Sequence, residues 1–282
     1  MRRPVIALLT DYGTEDFFVA SLKGVILSLQ PEAEIVDIAH TVPSFDLRRA
    51  SYLLAACYKT FPAGTIFVVV VDPGVGTGRR ILVAKTRKYF FVAPDNGVLT
   101  GVLKGEKLEA LIRAENERYF LAGHGRTFDG RDKMAPLAAW LSHGCSPKEF
   151  GPRIASWKKM PAFRPRFFGD RITGHIVHID KFGNCLTDVP TGRVRELEEK
   201  CGAGIPVLTV GGASAAFRET YAEGQAGELI FLPGSQGTIE IAVKQDSAAA
   251  EAGAAVGDSV LIRPARRRNG ASRQLRRPAG KP

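Results

Sequence analysis

Seven consecutive residues, Thr65-Ile-Phe-Val-Val-Val-Val71, carry no charge and are rich in β-branched side chains, and Asp72 follows at once. A run with no polar alternation suits a strand covered on both faces, as in the interior of an α/β sheet. It also places a carboxylate at the strand's carboxyl end, where open α/β sheets bind ligands. Val5–Leu9 repeats the pattern and ends in Thr10-Asp11. Between these runs the spacing of Phe17, Ala20, Leu22, Val25, Ile26 and Leu29 predicts a helix from Asp16, closed by Pro31. Glu34–Ile38 follows as a short strand and Asp46–Thr60 as a second helix. Ile81–Lys85 and Tyr89–Ala93 are expected as strands, Asn96–Leu103 as a short helix capped by Asn96, and Asp132–Leu141 as another helix. Strands alternating with helices predict an α/β class: an N-terminal layered domain, residues 1–151, around a mainly parallel central sheet.

The texture changes after Gly151. Pro152, Pro161 and Pro165 punctuate a stretch expected to be a linker, 152–166. From Arg171 short strands separated by glycine turns predict a smaller C-terminal antiparallel β domain, 167–264. Between Arg263 and Pro282 stand eight bases and no acid. The formal net charge is +10, but removing those eight from 39 bases leaves 31 against 29 acids. The basic character therefore belongs to a tail, 265–282, expected to be disordered and able to touch polyanions only non-specifically.

With 45% hydrophobic and 24% charged residues the chain is not disordered as a whole. Its apolar runs fall far short of the roughly 20 residues that span a bilayer. The stretch after Met1-Arg2-Arg3 stops at Asp11 with no small-residue cleavage site, so no signal peptide, no membrane partner and a cytoplasmic location are expected. Cys57, Cys145, Cys185 and Cys201 show no metal-ligand spacing and are expected reduced. The five histidines form no HExxH; His175 and His178, on an alternating segment, are a weak zinc pair. No metal is predicted.

Polar residues cluster at five further places. Asp72-Pro-Gly-Val-Gly-Thr-Gly-Arg-Arg80 lacks the GxGxxG order of a dinucleotide loop and fits a wide turn equally well. His124-Gly-Arg-Thr-Phe-Asp-Gly-Arg-Asp132 is either a site or a helix start capped by Asp129 or Asp132. Asp180-Lys-Phe-Gly-Asn184 and Gly234-Ser-Gln-Gly237 are turn-like, and Asp11 stands alone after the first strand.

Taken in order, Thr10-Asp-Tyr-Gly13 with Lys23-Gly24, Asp72-Pro-Gly-Val-Gly-Thr-Gly-Arg79, Pro94-Asp-Asn-Gly97, Thr127-Phe-x-Gly-Arg-Asp132, Asp180-x-Phe-Gly-Asn184 and Ser235-x-Gly237 resemble the S-adenosyl-L-methionine (SAM) hydroxide adenosyltransferase family, which belongs with the fluorinase and chlorinase enzymes. The resemblance spans roughly residues 4–264. It implies an α/β domain followed by a β domain, and homotrimers holding SAM between the N-domain of one subunit and the C-domain of the next. It implies conversion of SAM and water to adenosine and L-methionine, with SAM as substrate and no cofactor. By similarity Asp72 and Arg79 belong to the water-activating set. Asp11 holds the ribose hydroxyls, Asn184 the adenine, and Asp180 and Ser235 the methionine amino end. Thr127, Phe128 and Phe182 line the substrate, and Phe45 stands near the nucleophile pocket.

One position departs. The family's Thr-Phe-His-Gly-Arg-Asp is here Thr127-Phe-Asp-Gly-Arg-Asp132, so Asp129 stands where the third water-activating residue, a histidine, is expected. A carboxylate, with an ordinary pKa of about 3.9 against about 6.5 for imidazole, is the weaker base near neutrality. This leaves three alternatives: Asp129 still serves, His124 reaches the site instead, or the chain is a non-catalytic or slow SAM- or adenosine-binding protein. On the first, Asp129→His is expected to raise the rate. Gln236 also replaces the fluorinase arginine. Gly130 resembles the chlorinase rather than the fluorinase, so chloride transfer is a further alternative, opposed by the negative charge of Asp72.

Overall fold

A computed structural model describes residues 3–123, 125, 127–200 and 206–264. The chain divides into two compact units, the division falling between Ala162 and Phe163. The first contains β1 (Val5–Thr10), α1 (Phe18–Leu29), β2 (Glu34–Ala39), α2 (Leu47–Cys57), β3 (Ile66–Val70), β4 (Ile81–Thr86), β5 (Phe90–Pro94), α3 (Thr100–Leu103), β6 (Leu108–Ala114) and α4 (Ala135–Ser142). The sheet order is β2-β1-β3-β5-β4-β6. The β1–β2, β1–β3 and β3–β5 pairs are parallel, while β4 pairs antiparallel with β5 and β6.

The unbroken apolar strands have the expected cause. Ile6 and Leu8 of β1 and Ile66, Val68 and Val70 of β3 pack into one core with Leu22 and Ile26 of α1 and Leu137 and Leu141 of α4. Their alternate neighbours Ala7, Leu9, Phe67 and Val69 pack into a second core with Ala50 and Leu54 of α2. Successive side chains point to opposite faces, so a sheet with two helical layers needs apolar residues at every position. In register, Thr10 faces Val70, which brings the carboxyl ends of β1 and β3 side by side.

Several boundaries differ from the sequence expectation. Asn96 does not cap a helix: its Nδ2 donates to Val71 O at 2.8 Å and its Oδ1 accepts from Val98 N at 3.1 Å, leaving only Thr100–Leu103 helical. Asn96 thus fixes the carbonyl just before Asp72. Asp46 does cap α2, accepting from Arg49 N at 2.9 Å. The helix expected from Asp132 instead opens with a π-helical turn, Gly130–Met134, before α4, and no side-chain cap is formed at its start. Residues 154–160, within the first unit, are tied to its sheet and loops: Ile154 N donates to Leu111 O at 2.8 Å and Lys158 N to Asp95 at 2.7 Å.

The second unit contains β7 (Arg166–Phe168), β8 (Arg171–Ile179), β9 (Cys185–Pro190), α5 (Thr191–Lys200), β10 (Pro206–Val210), β11 (Ala213–Phe217), β12 (Leu229–Pro233), β13 (Thr238–Val243), α6 (Ala248–Glu251) and β14 (Ser259–Pro264). Its strands run β14-β10-β11-β12-β13-β9-β8-β7, and a further β14–β8 pairing closes them into a barrel-like sheet. All pairs are antiparallel except β11–β12. Alternating β8 residues such as Ile172 and Ile176 enter its core beside Phe231, Ile241 and Ile262. Helix α5 was not expected from the sequence, whose charged Arg193–Lys200 stretch hides the two buried residues, Val194 and Leu197.

Among the described residues no helix is long and apolar enough to cross a membrane. Cys57, Cys145 and Cys185 are free thiols, and burial pushes that of Cys185 up to about 11. His175 spends its Nδ1 on Asp188 at 3.2 Å. Cys201, His124 and the basic tail, 265–282, lie outside the described residues.

Candidate active site

Asp11 and Asp72 leave the carboxyl ends of the neighbouring parallel strands β1 and β3. Around them lies a pocket of about 280 Å³ lined by Asp11, Tyr12, Phe18, Ser44, Phe45, Val70, Asp72, Val75, Thr127, Phe128 and Gly130. Five of the residues singled out from the sequence therefore come together: Asp11, Phe45, Asp72, Thr127 and Phe128.

Asp72 is buried and is held through both carboxylate oxygens. Its Oδ1 accepts from Gly74 N at 3.1 Å, and its Oδ2 accepts from Arg79 Nε at 2.5 Å and forms an ion pair with Arg79 Nη2. The glycine-rich turn thus folds back seven residues to return a guanidinium to its own first carboxylate. The same Nη2 lies 2.5 Å from Asp129 Oδ2. Asp129 Oδ1 is 2.8 Å from Lys133 Nζ, one helical turn on, though the angles there fall short of a hydrogen bond. The result is a buried ladder of alternating charge, Asp72–Arg79–Asp129–Lys133. Its two carboxylates raise the pKa of Arg79 above the ordinary value against the opposing effect of burial. Arg79 and Asp129 do not line the pocket, so Asp72 is the ladder's face toward a ligand.

Phe45 holds a left-handed backbone, φ 67°, and its N–H donates to Asp11 Oδ2 at 2.9 Å. The Asp11 carboxyl sits above its usual pKa, chiefly through burial, with the Asp72 charge adding to it and the Phe45 bond opposing it. A raised carboxyl contributes most below its unfolded value, and that contribution is lost as pH rises through the folded one. Asp11→Asn, which keeps an oxygen for Phe45 N, should therefore melt a few degrees above the parent near pH 7, with the gap closing toward about pH 3. Thermal unfolding across that range checks it, and a gap that widens on acidification contradicts it.

Phe128 is fixed by edge contacts to Tyr12, Phe17 and Phe18 at 5.7, 6.5 and 5.3 Å, with Arg131 over its face at 4.8 Å. Asp132 is fully buried and accepts from Arg131 Nε at 2.6 Å and Gly125 N at 3.1 Å, so it braces this loop from behind.

In the second unit Asp180 closes the β8–β9 turn on itself. Its Oδ1 accepts from Phe182 N at 2.8 Å and Asn184 N at 3.0 Å, and its Oδ2 from Asn184 Nδ2 at 3.0 Å. Gly183, φ 84°, packs so closely that a Cβ there would lie 2.1 Å from Ser247 Oγ. Phe182 and Asn184 line a pocket of about 530 Å³ with Tyr221, Ala222 and Val243–Ser247. Asp180 and the exposed Ser235 are not on its wall. Tyr221 and Lys244 were not singled out from the sequence. Tyr221 donates to the buried Glu240, whose carboxyl is raised by burial and by Asp180; neither residue lies in a run that marks it.

The fold and the first pocket define an α/β protein of the class that receives ligands at the carboxyl ends of parallel strands, with a second β unit. Residues 6–151 match the SAM hydroxide adenosyltransferase N-terminal domain and 174–261 the corresponding C-terminal domain. The chain belongs to the SAM hydroxide adenosyltransferase family. It is 35% identical to an (R)-S-adenosyl-L-methionine hydrolase of Thermus thermophilus over 87% of this chain and 94% of that one. A fluorinase of Nocardia brasiliensis is 27% identical over 93% of this chain and 97% of its own. The crystal structure of an uncharacterized conserved protein from Thermotoga maritima superposes with a TM-score of 0.85 at 35% identity, covering 91% of this chain and 99% of that one.

Proposed function

We propose that this chain is a SAM hydrolase that forms adenosine and L-methionine by attack of water at C5′. The observation that carries the reading is Asp72 on the pocket wall, held from behind by Arg79. The relatives named as hydrolases, at 30–35% identity, support it over the more distant fluorinases. In the reaction a C5′–O bond forms as the C5′–S bond breaks. The sulfur keeps the bonding pair and departs as a neutral thioether, so no general acid is required. The demanding partner is water, whose pKa of about 15.7 forbids prior ionisation. In this reading Asp72 accepts the water proton as the C–O bond forms, and Arg79 fixes that carboxylate in one orientation. Asp129 acts through Arg79 as a positioning residue.

Asp11 receives the ribose hydroxyls, with Phe45, Thr127 and Phe128 enclosing the reacting end. Asn184 and Phe182 take the adenine, and Asp180 and Ser235 the methionine amino end. SAM is the substrate and no further cofactor is invoked. The reading includes a homotrimer with the site between one subunit's N-terminal domain (1–151) and the C-terminal domain (167–264) of the next. Light scattering should then give about three times the 30.5 kDa chain mass.

The decisive experiment incubates the full chain with SAM in ¹⁸O-water. The expected result is many turnovers to adenosine carrying the label at its 5′-oxygen. Stoichiometric binding without turnover would leave a SAM-binding protein instead, and 5′-chloro-5′-deoxyadenosine in chloride buffer would mark a halide transferase.

A further inference from the structure

Of the three residues expected to activate water, only Asp72 reaches the first pocket, so the attacking water needs a second partner. The pocket's other polar side chains are Asp11, Tyr12, Ser44 and Thr127. Asp11 is already assigned to the ribose hydroxyls, and Ser44 and Thr127 are exposed. Tyr12 differs. Its ring is clamped by Phe18 and Phe128 at centroid distances of 5.3 and 5.7 Å. Its hydroxyl ends against Gly130: a Cβ placed there would lie 2.5 Å from the phenol oxygen and 3.1 Å from Val70 Cγ1. The absence of a side chain at Gly130 is therefore what admits the phenol to a wall that Val70, Asp72 and Gly130 also form. Among the described residues the hydroxyl makes no hydrogen bond. Burial and the nearby charges of Asp11, Asp72 and Asp129 keep it protonated, outweighing Arg79.

We infer that Tyr12 is a further catalytic residue, whose phenol oxygen accepts one hydrogen of the attacking water while Asp72 accepts the other. Both hydrogens are then directed away from C5′, and a lone pair faces the carbon. The proton released goes to Asp72 and on to solvent; the phenol keeps its own hydrogen throughout. Two fixed acceptors define the water's orientation where one would leave it free to rotate, and misalignment of a reacting atom costs on the order of a hundredfold.

The inference rests on the hydrolase reading, and the experiment separates the two. Wild type and Tyr12→Phe are compared in steady-state adenosine formation. The phenylalanine keeps the ring contacts, so the expected result is a fall in kcat of about tenfold to a hundredfold at nearly unchanged KM, with an unchanged melting temperature. Gly130→Ala should fall similarly in the parent, because its methyl displaces the hydroxyl, and should add little in the Tyr12→Phe background. A Tyr12→Phe kcat within about twofold of wild type, or a change confined to KM, overturns the role of the hydroxyl while leaving the hydrolase intact. Wild type that forms no adenosine overturns both.

Discussion

Asp72→Asn should lower kcat for adenosine formation by about a hundredfold to ten-thousandfold and change KM far less. The substitution keeps the volume and an oxygen for Gly74 N, but removes the proton acceptor at the pocket wall. Sequence position alone suggests that losing Asp72 leaves the fold untouched, since it follows a strand rather than lying within one. Burial adds a stability cost to that expectation, since Asp72 and Arg79 expose only 5% and 6% of their side chains. Arg79 keeps Asp129, so the cost should be modest, about 1–3 kcal/mol. Arg79→Met is the contrasting variant. It leaves Asp72 and Asp129 buried without their shared cation and should cost about 3–5 kcal/mol. Denaturant unfolding ranks the two variants, and adenosine release by chromatography reads the rate. An Asp72→Asn enzyme with near-parental kcat would remove Asp72 from the chemistry.

The layered first unit was legible because its signal is physical and local. A strand covered on both faces must be apolar at every position, and the shortness and β-branched content of Thr65–Val71 favour that reading over a buried helix segment. The strand-end carboxylates followed from the same runs. What stayed hidden depended on long-range pairing. Asn96 looked like a helix cap, but its amide serves the Val71 carbonyl, 25 residues back. Leu108–Ala114 pairs with β4 at the sheet's edge and carries Glu109 and Arg113 among its residues, which blurs its pattern. Gly130 could be compared with other sequences but not explained, since its reason is the Tyr12 hydroxyl, 118 positions away. The pairing of Asp129 with Lys133 has the ordinary four-residue helical spacing; what the spacing does not announce is that the same carboxylate also meets Arg79, 50 positions away.

That pairing reverses the expected effect of restoring a histidine. On sequence alone Asp129→His supplies a better base and should raise the rate. In the structure residue 129 stands between Arg79 Nη2 at 2.5 Å and Lys133 Nζ at 2.8 Å. An imidazole there meets two cations, takes one carboxylate from Arg79, and strands an ammonium whose side chain is 22% exposed. Asp129→His should therefore lower kcat by about tenfold or more, and the melting temperature with it. Removing the stranded charge as well, in Asp129→His/Lys133→Met, should recover most of both losses. Lys133→Met alone should instead lower stability, because the buried Asp129 then loses the cation beside its second oxygen. A double-mutant cycle on kcat and unfolding free energy measures the link, with an expected coupling of about 1–3 kcal/mol. Additive effects would mean that Lys133 does not offset the charge of Asp129. A faster Asp129→His single variant would return the base to position 129 and move Asp129 from a support of Arg79 to a participant in the proton transfer itself.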